Sequence, residues 1–199
     1  MTALPVPPEP RSVYPRRPLT VADYLDLPEA PENRTELQEG MVVMAARPIP
    51  RHQKALVRLI TQLEPQLPGG LGLLPEVDID LQLLPPDQPG TVRVPDLVVT
   101  AEGFERVDAE GGVLRARDVI LAVEIHSRGS RRTDSVIKYH EYADAGIDHY
   151  WMVELDGRPT LTACHRAGEF GYANTDPEPG TFTTGFPFPA RIDLDRLLT

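Results

Sequence analysis

From His52 to Leu67 the apolar side chains Ala55, Leu56, Leu59, Ile60, Leu63 and Leu67 recur at helical spacing. Arg58, Gln62 and Gln66 take the rest of the circumference, which predicts an amphipathic helix closed by Pro65 and Pro68-Gly69-Gly70. The period then changes to two. Val77, Ile79, Leu81 and Leu83 alternate with Asp78, Asp80 and Gln82, predicting a strand whose acids face solvent. A Pro/Gly turn (Pro85, Pro86, Pro89, Gly90) leads into a second strand over Val92–Val99. The run Val119–Ile125 is apolar on both faces, as in a central strand covered on both sides. A second helix is predicted from about Thr133 to Ala145, with Gly146 at its end. His149–Leu155 reads as a further strand, and Asp156-Gly157 turns it into Thr160–Ala163.

Before this core, Thr20 caps a short helix, with Asp23 completing a capping box, and Pro28 ends it. Glu36-Leu37 and Met41–Met44 flank Gln38-Glu39-Gly40, a hairpin with its glycine at the turn. Met1–Pro18 carries six prolines and no apolar core, so it reads as a flexible arm rather than a signal peptide. The tail from about Glu169 is rich in Pro, Gly and Phe, and is expected to wrap the core before a short helix near Asp193–Leu198. The order helix, three strands, helix, strand predicts a mixed α/β fold, with residues 19–199 forming one domain.

Composition adds exclusions. With 41% hydrophobic and 25% charged residues the chain is ordinary for a globular protein. No stretch approaches the roughly 18 apolar residues that span a bilayer, so no membrane partner is expected and a cytoplasmic location is the default. One cysteine excludes an internal disulfide and a cysteine-based zinc cluster. A net charge of −10 argues against non-specific coating of nucleic acid. The charge is uneven, however: Arg115–Lys138 holds six basic and three acidic residues. A solvated basic loop and a phosphate-binding surface account for that segment about equally well.

Two acids interrupt the apolar strands: Asp96, between Val94 and Leu97-Val98-Val99, and Glu124, near the end of the central run. A buried carboxylate is costly unless a cation, metal or hydrogen-bond donor meets it. Together with Lys138 on the second helix, the pair suits hydrolysis of a phosphodiester with a divalent ion. Mg²⁺ or Mn²⁺ needs only one or two carboxylates and a main-chain carbonyl, here that of Ile125. The ammonium of Lys138 would position the water. The blander readings are specific too: Asp96 bonding nearby backbone N–H groups, Glu124 paired with an arginine, and Lys138 paired with Asp134 at i, i+4.

Pro95-Asp96 followed by Glu124-Ile125-His126 resembles the PD-(D/E)XK nuclease superfamily. The likeness narrows to the Uma-two group of restriction-endonuclease-like bacterial proteins. It is carried by Glu36-Leu37-Gln38-Glu39-Gly40, His52, Pro95-Asp96, Glu124-Ile125-His126-Ser127 and Ser130-Arg131-Arg132. It continues through Asp134, Lys138, Tyr142 and Ala145-Gly146-Ile147-Asp148-His149-Tyr150-Trp151, covering about residues 19–165. The superfamily's lysine normally follows the second acid by two residues, where His126 stands here. The resemblance therefore implies that the lysine has moved to the following helix, at Lys138.

The resemblance implies a restriction-endonuclease-like mixed sheet flanked by helices, with an added N-terminal hairpin, acting on nucleic acid, DNA above all. A homodimer is an expectation on the separate ground that cutting both strands of a duplex is commonly done by paired sites. The resemblance further implies Asp96, Glu124 and Lys138 as catalytic residues, with Asp96, Glu124 and Ile125 holding Mg²⁺ or Mn²⁺. Glu36, His52, His126 and Tyr142 are candidate cleft residues, and Arg128, Arg131 and Arg132 candidate phosphate contacts. The rivals are a nuclease-fold interaction module without turnover and a hydrolase of another phosphate ester.

Overall fold

The computed structural model describes residues 17–28, 34–44, 48–101, 104–109, 112–126, 133–168 and 171–199. The Pro-rich arm up to residue 16 lies outside them, as do Arg128, Arg131 and Arg132. Helix α1 (Val21–Leu25) opens as expected. Thr20 accepts from the Asp23 N–H while the Asp23 carboxylate takes the Thr20 N–H. Strands β1 (Thr35–Gln38) and β2 (Met41–Met44) form the expected hairpin. Its turn residues Glu39 and Gly40 both have positive φ. Gly40 is obligatory on a second ground, since a Cβ there would lie 2.8 Å from the Pro18 side chain.

Helix α2 (Pro50–Leu63) starts at a proline, whose missing N–H costs nothing in the first turn, and runs into a 3-10 turn over Glu64–Gln66. Then follow β3 (Leu71–Pro75), β4 (Ile79–Asp80), β5 (Val92–Arg93) and β6 (Leu97–Ala101). Helix α3 (Phe104–Ala109) and strand β7 (Leu114–Arg115) lead to β8 (Val119–His126). A wide π-type turn over Thr133–Lys138 continues as α4 (Tyr139–Asp144). The chain ends with β9 (His149–Glu154), β10 (Thr160–Arg166), β11 (Tyr172–Asn174), β12 (Glu178–Pro179), β13 (Thr181–Thr184) and β14 (Ala190–Asp193).

These strands make two principal sheets. The larger has the order β11-β10-β9-β8-β6-β3, with β12 against β10, and the smaller has the order β2-β1-β5-β4-β7. Most pairs are antiparallel, but β8 and β9 run parallel, joined through α4. One face of the larger sheet packs on α2: Ala55, Leu56, Leu59 and Leu63 meet Leu97, Val99, Leu121, Val123 and Ile125. The tail supplies Phe182, Phe188, Ile192, Leu194 and Leu197 to the same cluster, so it completes the core as well as wrapping it. The other face carries Val98 and Ala122 beneath Tyr142, Ala143 and Ile147.

Three expectations are corrected. The first of the three core strands is β3, Leu71–Pro75, and not the alternating run Val77–Leu83. Only Ile79–Asp80 of that run forms a ladder, and it does so in the smaller sheet. A segment bearing Gly72 and Pro75 reads poorly as a strand, yet an edge strand tolerates both. Second, Asp78 and Asp80 are half-buried, not solvent-facing, and burial raises the pKa of each carboxyl. Third, Val92–Val99 is not one strand. Pro95 has no N–H to donate, and the chain passes there from β5 in the smaller sheet to β6 in the larger. Asp96 therefore stands at the seam between the two sheets.

Candidate active site

The strand register explains why two distant acids meet. Leu97 pairs with Val123 in the antiparallel β6–β8 ladder, so one step on Asp96 stands opposite Glu124. Both fall on the alternation that also holds Val98 and Ala122, the face covered by α4. Asp96 is 6% exposed and Glu124 4%.

Asp96 is held from three sides. Its Oδ2 accepts the Ile125 N–H at 2.7 Å and lies 3.1 Å from His52 Nε2, in the first turn of α2. Its Oδ1 faces Arg34 Nη1 at 3.7 Å. Burial alone would raise the Asp96 pKa; the His52 hydrogen bond and charge, then the Ile125 N–H, outweigh it and hold the group below its usual range. Burial likewise opposes a charged His52, but Asp96 prevails and raises its pKa. His52 Nδ1 is buried with no hydrogen-bond partner among the described residues. Arg34 also donates to the Val94 carbonyl and pairs with Glu76 at 3.1 Å.

Glu124 is met from α4. Its Oε1 lies 2.8 Å from Lys138 Nζ and accepts the Tyr142 hydroxyl at 3.0 Å. Lys138 and Tyr142 are four residues apart and so share one side of the helix. Burial, with the Glu124 charge behind it, pushes the Tyr142 pKa well above the ordinary phenol, so this hydroxyl stays a donor. Lys138 Nζ also reaches Glu36 Oε1 at 2.9 Å, from β1 of the smaller sheet. Burial tends to raise the Glu36 pKa, but Lys138 and Arg93 together bring it below its usual value.

The structure brings Asp96, Glu124, Lys138, Glu36, His52 and Tyr142 together, with Ile125 entering through its N–H. His126 is buried two residues beyond Glu124 on β8, and its carbonyl accepts the Leu155 N–H at 3.3 Å. Among the described residues Glu124 pairs with Lys138, while Arg128, Arg131 and Arg132 lie outside them. Lys138 bonds Glu124 and Glu36, and the Asp96 contact with a backbone N–H does form.

Sequence reasoning missed three partners: Arg93, Glu141 and Arg34. Arg93 is fully buried at 0% exposure, bonded to Glu36 and to both oxygens of Glu141. The signal that exposed Asp96, a charge inside an apolar run, was equally present in Val92-Arg93-Val94. Glu141 follows Lys138 by three residues on the helix, a weaker cue. Arg34 has no such cue.

The donor set fits a hard divalent ion. Asp96 and Glu124 offer carboxylate oxygens, and Mg²⁺ requires few protein ligands because it retains several waters. Among the described residues no three His, Cys, Asp or Glu side chains are grouped so as to hold a metal ion. Among the same residues Glu36, Glu76, Asp96, Glu124 and Glu141 are paired with Arg34, Arg93, Lys138 and His52.

Residues 21–193 match the model of the Uma2 family, described as "Putative restriction endonuclease". The chain belongs to this family. No curated protein matches it. A crystal structure from Anabaena variabilis, titled as that of a putative nuclease, superposes with a TM-score of 0.66 at 19% sequence identity. The match covers 91% of this chain and 98% of that one. At that identity the likeness speaks for the fold, the mixed α/β arrangement expected from the residue pattern and the restriction-endonuclease-like sheet implied by the resemblance. Among the described residues no helix is long and apolar enough to cross a membrane.

Proposed function

We propose that this Uma2-family chain is a divalent-metal-dependent endonuclease that hydrolyses DNA phosphodiester bonds in the cytoplasm, with residues 19–199 acting as one unit. The observation that carries the reading is Lys138. Starting fourteen residues beyond Glu124, it returns from the helix to within 2.8 Å of that carboxylate, beside the strand position facing Asp96. In this reading Asp96, Glu124 and the Ile125 carbonyl hold Mg²⁺ or Mn²⁺. The ion, when bound, supplies Lewis-acid polarisation of the phosphoryl group and acidification of water.

The chain's own residues do the rest. His52 and the Ile125 N–H keep Asp96 ionised and oriented. Tyr142 stays protonated and donates to Glu124, which fixes that carboxylate. Lys138 keeps an ammonium at the site, where it orients a water and offsets charge developing on the phosphorane. Arg128, Arg131 and Arg132 engage flanking phosphates, and a homodimer would present two such sites to one duplex.

Supercoiled plasmid with Mg²⁺ or Mn²⁺ is the direct test. Wild type should nick and linearise it, whereas Asp96→Ala, Glu124→Ala and Lys138→Ala should fall by about a hundredfold or more, as when a transition-state donor is lost. Equal nicking by wild type and Glu124→Ala would sink the assignment. A second reading, a nuclease fold kept for binding without turnover, is favoured by one observation: the Lys138 ammonium is already committed to two carboxylates. It predicts metal-independent DNA retention on a gel and no cleavage by wild type.

A further inference from the structure

Behind Lys138 stands a closed circuit of charges. The Arg93 guanidinium on β5 grips Glu141 with Nε and Nη2, both at 2.7 Å, and uses Nη1 to hold Glu36 Oε2 at 2.9 Å. The other Glu36 oxygen takes the Val94 N–H at 3.1 Å and Lys138 Nζ at 2.9 Å. Glu141 and Lys138 are three residues apart on one helix, so the circuit leaves α4, crosses the smaller sheet and returns to the same helix. Every member but Glu141 is buried.

We propose that Arg93 and Glu141 are positioning residues for Lys138, acting through Glu36. The proposal rests on the nuclease reading for its consequence, but on geometry for its content. Among the described residues Lys138 meets two carboxylates of different kinds. Glu124 faces Asp96, where a cation would compete for its oxygens. Glu36 does not share that demand: one oxygen is locked to Arg93 and the other to a backbone N–H and the ammonium. Glu36 therefore keeps the ammonium at the site when Glu124 is drawn toward a cation. Arg93 sets the direction of Glu36 because a planar fork gripped along one edge by both oxygens of Glu141 leaves Nη1 one orientation. A lysine at position 93 would bring the charge without that fork.

The sequence makes the test clean, because the chain has only two lysines, Lys54 and Lys138, and one cysteine, Cys164. Lys54 is exposed on α2, and Lys138 and Cys164 are buried. Metal-free protein is treated with an amine-acylating reagent at one fixed pH, and peptide masses give the Lys138 rate relative to Lys54. A thiol reagent on Cys164 reports in parallel whether the fold is intact. Wild type should acylate at Lys54 and resist at Lys138. Arg93→Met should raise the Lys138 to Lys54 ratio by about tenfold, the population change that loss of a charged hydrogen bond implies, with Cys164 still protected. If Arg93→Met exposes Cys164, Glu141→Gln, which keeps the guanidinium charge, reads the same ratio with a smaller rise. An unchanged ratio in folded Arg93→Met, or in Glu141→Gln, overturns the proposal.

The cleavage arm is separate. Both variants should lose kcat with KM for plasmid near wild type and with calorimetric Mn²⁺ affinity retained, since the acids assigned to the metal are intact. Loss of Mn²⁺ affinity in step with kcat would mean a general collapse of the site and overturn the positioning role. Failure of wild type to cleave would sink the nuclease reading and leave the acylation result standing.

Discussion

The two faces of the larger sheet solve the same problem in opposite ways. Beneath α2, Leu59, Leu63, Leu97, Val123 and Trp151 exclude water with no charged group among them. At the end of the other face, equally deep, Asp96, Glu124, Glu36, Arg93 and Lys138 are also removed from water, yet nearly every polar contact is directed. The first region is stable because area is buried, and area has no direction. The second stands because each charge meets a donor or acceptor at a set distance, and it fails if any one is removed. Closely packed core can change composition and keep its place. The seam cannot, which is what a site requires.

Breaking the seam should therefore cost most. Arg93→Ala leaves the buried Glu36 and the half-buried Glu141 without their common partner, and denaturant unfolding should show a loss of about 3–5 kcal/mol. Leu59→Ala, on the apolar side, should cost about 2–5 kcal/mol by transfer and cavity terms, and a second apolar residue of similar volume there should restore most of it. Arg93→Met is the matching control. If it is as stable as wild type, the seam behaves like ordinary core and the contrast is lost.

Smaller effects sharpen the contrast. Tyr142→Phe keeps the ring and removes one hydrogen bond to Glu124, so about 1.5 kcal/mol is expected in the same unfolding assay. The smallest effect is in pH. The Glu36 pKa lies below its usual 4.5 in the folded protein, burial being outweighed by Lys138 and Arg93. A depressed carboxyl stabilises above its unfolded pKa, and that stability is lost as pH falls through the folded value. Wild type should thus exceed Glu36→Gln in melting temperature at neutral pH, with the gap closing on acidification below about 4.5. The Leu59→Ala deficit should show no such pH dependence.

Much of this was legible in the residue order. The α2 stripe, the hairpin at Gly40, the covered run of β8 and the Asp156-Gly157 turn are local patterns, and each formed as its period or turn chemistry dictates. The acids Asp96 and Glu124 stood out because a charge in an apolar run is costly. Lys138 stood out as a lone lysine on the second helix and the family likeness pointed to the same residue, but a helix-borne lysine carries no local mark of what it faces. Strand β3 was overlooked because its ladder with β6 compensates for a glycine and a proline that propensity counts against it.

The sequence by itself determined α2, the hairpin at Gly40, the covered run of β8 and the cost of burying Asp96 and Glu124, but not β3 or the break at Pro95. Those elements follow from local sterics and that cost from transfer out of water, and neither needs a partner to be named. Only the tertiary structure decided who the partners are. The break at Pro95 moved Asp96 to a seam between sheets, the β6–β8 register set it opposite Glu124, and β1 and β5 carried Glu36 and Arg93 up to α4. Pairing of buried charges depends on distances between elements far apart in the chain, and those distances exist only once the sheets have formed.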